Sequence, residues 1–371
     1  MITRQDLFTA REGGYYIYRI PGLQTAPGGE LIATCEARGG VGGDWDGSDL
    51  LMRRSLDGGK NWLPAVPLAR GADYGPGPMN NSVMAACPRS GVLHALFCHD
   101  YARVFQASSR DGGATFSAPA EITAAFAPFR RQYPWRVIAL GPGHATTLRS
   151  GRVIVPLWLS AGTSTEFGPG LRGHRPSCTA VVYSDDDGQT WRPGGIAVPQ
   201  EGFENPSEAV CIEREDGSVL LNVRSESERN RRLVTVSADG AGGWSKPEYH
   251  PELLEPVCMA GLARLSFAGG GQPGRLLFAN PATLEREFAN WGGAVCDRKR
   301  LSVRQSRDDG ATWPLERVVE PGPAGYADLA ITAGGEAALL YERGMLEHMG
   351  DTAALTLARF DLDWLEGKDK P

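Results

Sequence analysis

One short turn, written five times, constrains this chain more than any other feature. Residues 55–62 read SLDGGKNW, 109–116 SRDGGATF, 184–191 SDDDGQTW and 306–313 SRDDGATW, and a degraded copy, SADGAGGW, occupies 237–244. The shared form is S-x-D-x-G-x-(T/N)-(W/F). Each copy follows a β-rich run such as DLLMRRS, TAVVYS or RLSVRQS, so the box closes a hairpin. Its chemistry is local: Ser and Asp bond nearby amides, Gly supplies a positive φ, and the aromatic folds back onto the sheet. The copies begin 54, 75, 53 and 69 residues apart, about one four-stranded blade with a variable loop. This spacing predicts an all-β chain: a six-bladed β-propeller of four-stranded antiparallel blades, one domain over residues 1–371. Five blades carry a box, and the remaining one is closed by the N- and C-terminal strands. Helical periodicity is confined to ELLEP (252–256) and DLDWLEGK (361–368).

Composition narrows the function. Glycine (48) and proline (26) suit a chain of many tight turns, and 22% charged residues suit a folded one. The net charge is −6, and no Lys/Arg run is long enough to track phosphates, so nucleic acid is excluded as a partner while small anions are not. SERNRRL (227–233) alternates charge with polar residues and reads as a solvated strand edge. No window approaches eighteen apolar residues, so no membrane is implicated. The first residues carry no leader-like apolar run, which reads as cytoplasmic, or as secreted or periplasmic if a leader has been removed. Seven cysteines stand singly at 35, 87, 98, 178, 211, 258 and 296, without the spacing of a zinc or redox site, and read as buried thiols. No calcium-loop motif is present, and no cofactor is expected.

Residues 18–23, YRIPGL, set Arg19 in an apolar strand, where a guanidinium needs an anion from the protein or from a ligand. The boxes together with YRIP resemble the exo-sialidase family, and the resemblance covers nearly the whole chain. It implies three arginines gripping a substrate carboxylate, a tyrosine nucleophile beside a glutamate, and an aspartate acid/base on a loop. Arg19 matches the first arginine. NPSEAVCIEREDGSVLLNVRSES offers Glu208 and Arg224 on two strands joined by a turn. RKRLSVRQSRDDG offers Arg298, with Arg300 as the alternative because it replaces the family's asparagine. GPAGYADLAITAGGEAALLYE holds Tyr326 and, on the next strand, Glu342 as a buttress for Arg19. The loop EARGGVGGDWDGSD supplies Asp44, with Asp46 as runner-up and Asp49 inside the strand pattern; Arg38 resembles a further substrate-facing arginine. Asn80 and Asn81 are candidates for reading sugar substituents, and His144 reads as a structural histidine.

The chemistry suits a sialic acid, whose glycosidic carbon bears its own carboxylate. A carboxylate nucleophile would meet a like charge there, roughly 4 kcal/mol at 4 Å, on the order of a thousandfold in rate. A neutral phenol avoids that repulsion but needs a base, here Glu208. Sialidases with a Tyr nucleophile are a known exception to the two-carboxylate rule, so this assignment follows the resemblance. Asp44 would protonate the leaving oxygen and then activate water. The expected activity is retaining hydrolysis of terminal sialic acid, or of a relative such as Kdn, from a sialylated glycan or small sialoside. Transfer to an acceptor or to an anhydro product is a variant. A non-catalytic propeller binding acidic sugars or a protein partner is the reading from another class. The oligomeric state is not legible.

Overall fold

The computed structural model describes residues 1–40, 43–164, 172–288 and 295–368. Its strands pair almost wholly antiparallel and in chain order. Strands Ile17–Thr25, Leu31–Arg38, Ser48–Ser55 and Val66–Ala69 form one sheet, and Ala209–Glu213, Val219–Val223, Arg231–Ser237 and Glu248–Leu254 another. Two further sheets have five strands, built around Met79–Cys87 and Val153–Ser160. The N-terminal strand Ile2–Thr9 pairs with the last strand, Ala354–Phe360, so the two ends of the chain share a sheet. Neighbouring sheets touch in sequence and the last touches the first, closing the propeller ring.

The expectation of six four-stranded blades is overturned. Hydrogen bonding divides the described strands into four separate blades of four or five strands and one continuous seven-stranded sheet. The cause is strand Leu315–Ile331, 17 residues long. It pairs with Lys299–Ser306 through its first part and with Ala337–Arg343 through its second. The sequence Pro321-Gly322-Pro323 signals a break at this point, yet the backbone stays extended. Pro323 remains in register with Lys299, and the Ala324 amide bonds the Arg298 carbonyl at 2.9 Å. Tyr326, Asp328 and Ala330 therefore lie on a strand anchored from both sides.

The boxes behave as their residues dictate. The Ser hydroxyl accepts the Gly amide at 2.7 Å in Ser55–Gly59, 2.8 Å in Ser109–Gly113 and Ser184–Gly188, and 2.9 Å in Ser306–Gly310. The Asp carboxylate accepts the amide four residues on, at 2.9 Å for Asn61, Thr115 and Thr312 and 2.8 Å for Thr190. Each box glycine also faces the neighbouring sheet: Gly113 meets Ile32, Gly188 the His94 ring, Gly240 Ile154, Gly310 Leu220, and Gly59 Leu357 of the last sheet. The turn is thus both a hairpin lock and a spacer between blades. Gly310 has φ +86°, and a Cβ there would come 2.8 Å from Leu220, whereas Gly217, at φ +85°, has nothing within 4 Å. Gly217→Ala is expected to cost about 1 kcal/mol in urea denaturation and Gly310→Ala about 2–3 kcal/mol. Equal losses would mean the packing contact carries no energy.

Other expectations meet the structure unevenly. All seven cysteines are buried and none forms a disulfide among the described residues, as their scattered spacing implied. Of the two helical candidates, 361–368 contains one α turn, Leu362–Leu365, capped by Asp361, but ELLEP runs out of a strand. SERNRRL is not a solvated edge: Arg231–Ser237 is an interior strand of its sheet, and Arg232 is fully buried against Glu255 (2.5 Å) and Asn222 (2.7 Å). A charge in that pattern is indistinguishable from a surface one until its partner, 23 residues on, is known. No helix among the described residues is long and apolar enough to cross a membrane.

Candidate active site

Arg19 finds its partner 323 residues away: its Nε donates to Glu342 Oε1 at 2.9 Å and its Nη2 to Oε2 at 3.3 Å. The same carboxylate accepts the amides of Ile20 (3.2 Å) and Tyr326 (3.0 Å). Glu342 thereby ties the first strand of the ring to the long one. Burial alone would raise its pKa, but the charge and hydrogen bonds of Arg19 outweigh that and hold it below the usual carboxylate range. Gly325 must be glycine because a Cβ there would collide with Glu342 Oε2.

Tyr326 is 5% exposed, and its ring lies among three guanidiniums, with Cζ to ring centroid at 5.1 Å for Arg298, 5.2 Å for Arg19 and 6.0 Å for Arg224. Its hydroxyl donates to Glu208 Oε1 at 2.5 Å and accepts from Arg224 Nη1 at 2.5 Å. Arg224 Nη1 also donates to Glu208 Oε2 at 2.5 Å. Burial, with the nearby Glu208 charge, pushes the phenol well above its ordinary value, although the three arginines pull the other way. The phenol is therefore protonated at neutral pH, with a carboxylate in place to receive that proton.

Arg298 donates from Nη2 to the Val257 carbonyl at 2.8 Å, whereas Arg300, at φ +58°, projects outward and pairs with Glu316 at 3.1 Å. Of the two candidates the structure brings Arg298 to the site. Asp44 lies 3.0 Å from Arg38 Nη1 with its side chain 42% exposed. Burial opposes ionisation there, but Arg38 prevails and keeps the carboxyl below the usual range. Asp46 is exposed, and Asp49 accepts Tyr15 Oη (2.5 Å) and the Gly71 amide (2.7 Å), which occupies it structurally.

Arg19, Asp44, Glu208, Arg224, Arg298 and Tyr326 line one pocket of about 240 Å³. Glu342 and Arg38 stand behind it rather than on its wall. Asn81 lines the pocket, but Asn80 is fully buried and donates to the Asn81 side chain at 2.9 Å. His144 pairs with the buried Asp328 at 2.8 Å beneath the site, a structural position.

Several residues of the pocket wall, and Glu36 behind it, escaped the sequence reading. Glu36 holds Arg38 Nη2 (2.7 Å) and the Asn81 amide (3.0 Å). Tyr101, Trp158, His174, Arg175, Asn205 and Glu226 also line the pocket, with Arg175 bound to Glu226 through two contacts of 2.7 Å. None belongs to a box or a repeated motif. An alternating strand places Glu36 and Arg38 on one face, which was the available signal for Glu36.

The BNR repeat-like domain family matches residues 29–339. A sialidase of Micromonospora viridifaciens is 30% identical over 391 positions that take in 99% of this chain; the chain spans 55% of that relative's length. The solved structure of a Hadza microbial sialidase, Hz136, superposes with a TM-score of 0.77 at 24% identity, covering 98% of this chain and 69% of that one. A leech intramolecular trans-sialidase complexed with 2,7-anhydro-Neu5Ac gives 0.77 at 14% identity, covering 99% and 71%. With that match over most of its length, and with Asp boxes locking its hairpins, the chain belongs to the BNR repeat-like domain family.

Proposed function

We propose that this chain hydrolyses terminal α-linked sialic acid, or a related nonulosonic acid such as Kdn, from glycoconjugates with net retention. The observation that carries the reading is the Tyr326 hydroxyl held at 2.5 Å from both Glu208 and Arg224. A buried phenol bonded to a carboxylate and ringed by arginines is a neutral nucleophile with its base attached. Arg19, Arg224 and Arg298 would bind the substrate carboxylate through charge-assisted bonds and orient the ring.

In the first step the Tyr326 oxygen bonds to the anomeric carbon as its proton passes to Glu208. The glycosidic C–O bond breaks, and Asp44 delivers a proton to the departing oxygen. In the second, Asp44 takes a proton from water, the water oxygen replaces the tyrosine oxygen, and Glu208 returns the proton to Tyr326. Each face of the sugar is attacked once, so the configuration is kept.

The test is proton NMR of the first product formed from an aryl α-sialoside and from its Kdn analogue. Free α-anomer appearing before mutarotation is the expected result. Product with the β configuration from the start would refute a double displacement. A 2,7-anhydro product, the ligand in the leech complex, would assign intramolecular transfer instead. If both substrates remain intact, the enzymatic reading fails.

A further inference from the structure

We propose that Trp45 is the positioning residue for the general acid: it pins the backbone of Asp44 and leaves the carboxyl free to exchange Arg38 for the leaving-group oxygen. The proposal rests on the retaining hydrolysis proposed above. It begins with the loop itself, whose sequence from 39 to 47 is GGVGGDWDG. A Cβ at Gly39, Gly43 or Gly47 would meet nothing within 4 Å, and none of the three has a positive φ. Neither crowding nor backbone conformation asks for glycine at these positions. What glycine adds is chain freedom, which must be removed before an acid can be aimed.

Trp45 is the side chain placed to remove it. Its ring stacks on His174 at 5.2 Å and 14°, meets Tyr101 at 4.7 Å, and is covered by the Arg172 guanidinium at 5.1 Å. Below, it packs on the buried cluster of Tyr101, Val137, Ala139 and Trp158. The seat is rigid: Arg172 is bound to Asp100 at 2.5 Å, and the Tyr101 carbonyl accepts the Ile138 amide at 2.9 Å. Asp100 and Tyr101 both sit at positive φ, +51° and +48°, in a turn that lifts the Tyr101 ring toward Trp45.

Asp44 is held differently. Among the described residues its clamp is the Arg38 guanidinium at 3.0 Å, and that contact opposes the protonated state a general acid requires. Arg38 is fixed from behind by Glu36 at 2.7 Å and has no need to follow when Asp44 turns away. An aromatic anchor one residue along lets the carboxyl rotate about its own bonds without carrying the loop out of the pocket.

The test compares kcat/KM on two substrates, 4-nitrophenyl α-sialoside, whose phenolate leaves with little help, and 3′-sialyllactose, whose alkoxide needs the acid. Asp44→Asn serves as the reference and should lose far more on the lactoside. Trp45→Ala should lose about 100-fold on 3′-sialyllactose and only a few-fold on the aryl sialoside. Trp45→Phe should recover to within about threefold of wild type on both, because a ring still fills the seat. Arg172→Gln, which leaves the packed face untouched, should show the same substrate bias at about 3–10-fold. Equal losses on the two substrates, or no loss, would overturn the proposal while leaving hydrolysis itself intact. If Asp44→Asn shows no bias, it is the assignment of Asp44 as the acid that falls, and the role of Trp45 with it.

Discussion

Tyr326→Phe should lower kcat for an aryl α-sialoside by about three orders of magnitude while leaving KM within a few-fold of wild type. The substitution removes one oxygen from the centre of the site and little else. Glu208 and Arg224 remain bonded to each other at 2.5 Å, so neither is stranded when the hydroxyl goes. The phenyl ring keeps its place among Arg19, Arg224 and Arg298, which still present their charges to a substrate carboxylate. Binding and stability should therefore be nearly preserved and the covalent step lost. Steady-state kinetics together with a thermal melt check this. A variant keeping more than about a tenth of wild-type kcat would exclude the Tyr326 oxygen as nucleophile.

The contrast between local and distant determinants explains what could be read from the chain. Ser55, Asp57 and Gly59 specify their turn within five residues, so the boxes and the all-β class were legible at once. Tyr326, Arg19 and Glu342 were named through motifs, but the bond between Arg19 and Glu342 joins residues 323 apart in sequence where the last sheet meets the first, and only the closed fold supplies it. The blade count failed at Leu315–Ile331 because Pro321 and Pro323 are the residues that usually end a strand. There pairing passes from Lys299 at Pro323 to Arg343 at Ala324, so the strand runs on through the prolines by changing its partner. The aromatic wall of Tyr101, Trp158 and His174 was invisible for another reason. Buried aromatics in strands and turns are ordinary core residues by composition, and nothing short of their convergence on one pocket distinguishes them.

Glu342→Ala should destabilise the protein by about 3–5 kcal/mol, a larger loss than any single box substitution. The carboxylate, 4% exposed, accepts Arg19 twice and two backbone amides, those of Ile20 and Tyr326. Truncation strands a buried guanidinium and both amides together. Glu342→Gln keeps the shape but removes the charge and turns one acceptor into an NH2 donor facing an Arg19 N–H and a backbone N–H, so it should cost about 2–3 kcal/mol, part of it owed to charge. That part also carries a pH signature. The pKa of Glu342 is lower in the folded protein than in the unfolded chain, where it is about 4.3, because Arg19 favours the ionised form more than burial disfavours it. Its contribution is complete above the unfolded value and is lost as pH falls through the folded one. The gap in urea midpoint between wild type and Glu342→Gln should thus be constant from neutral pH down to about pH 5 and shrink below about pH 4. A gap that stayed the same in acid would mean the pair contributes through shape alone. In that case Arg19 would owe its orientation to the strand and not to the Glu342 charge beside it, and Glu342→Gln should bind sialic acid as tightly as wild type.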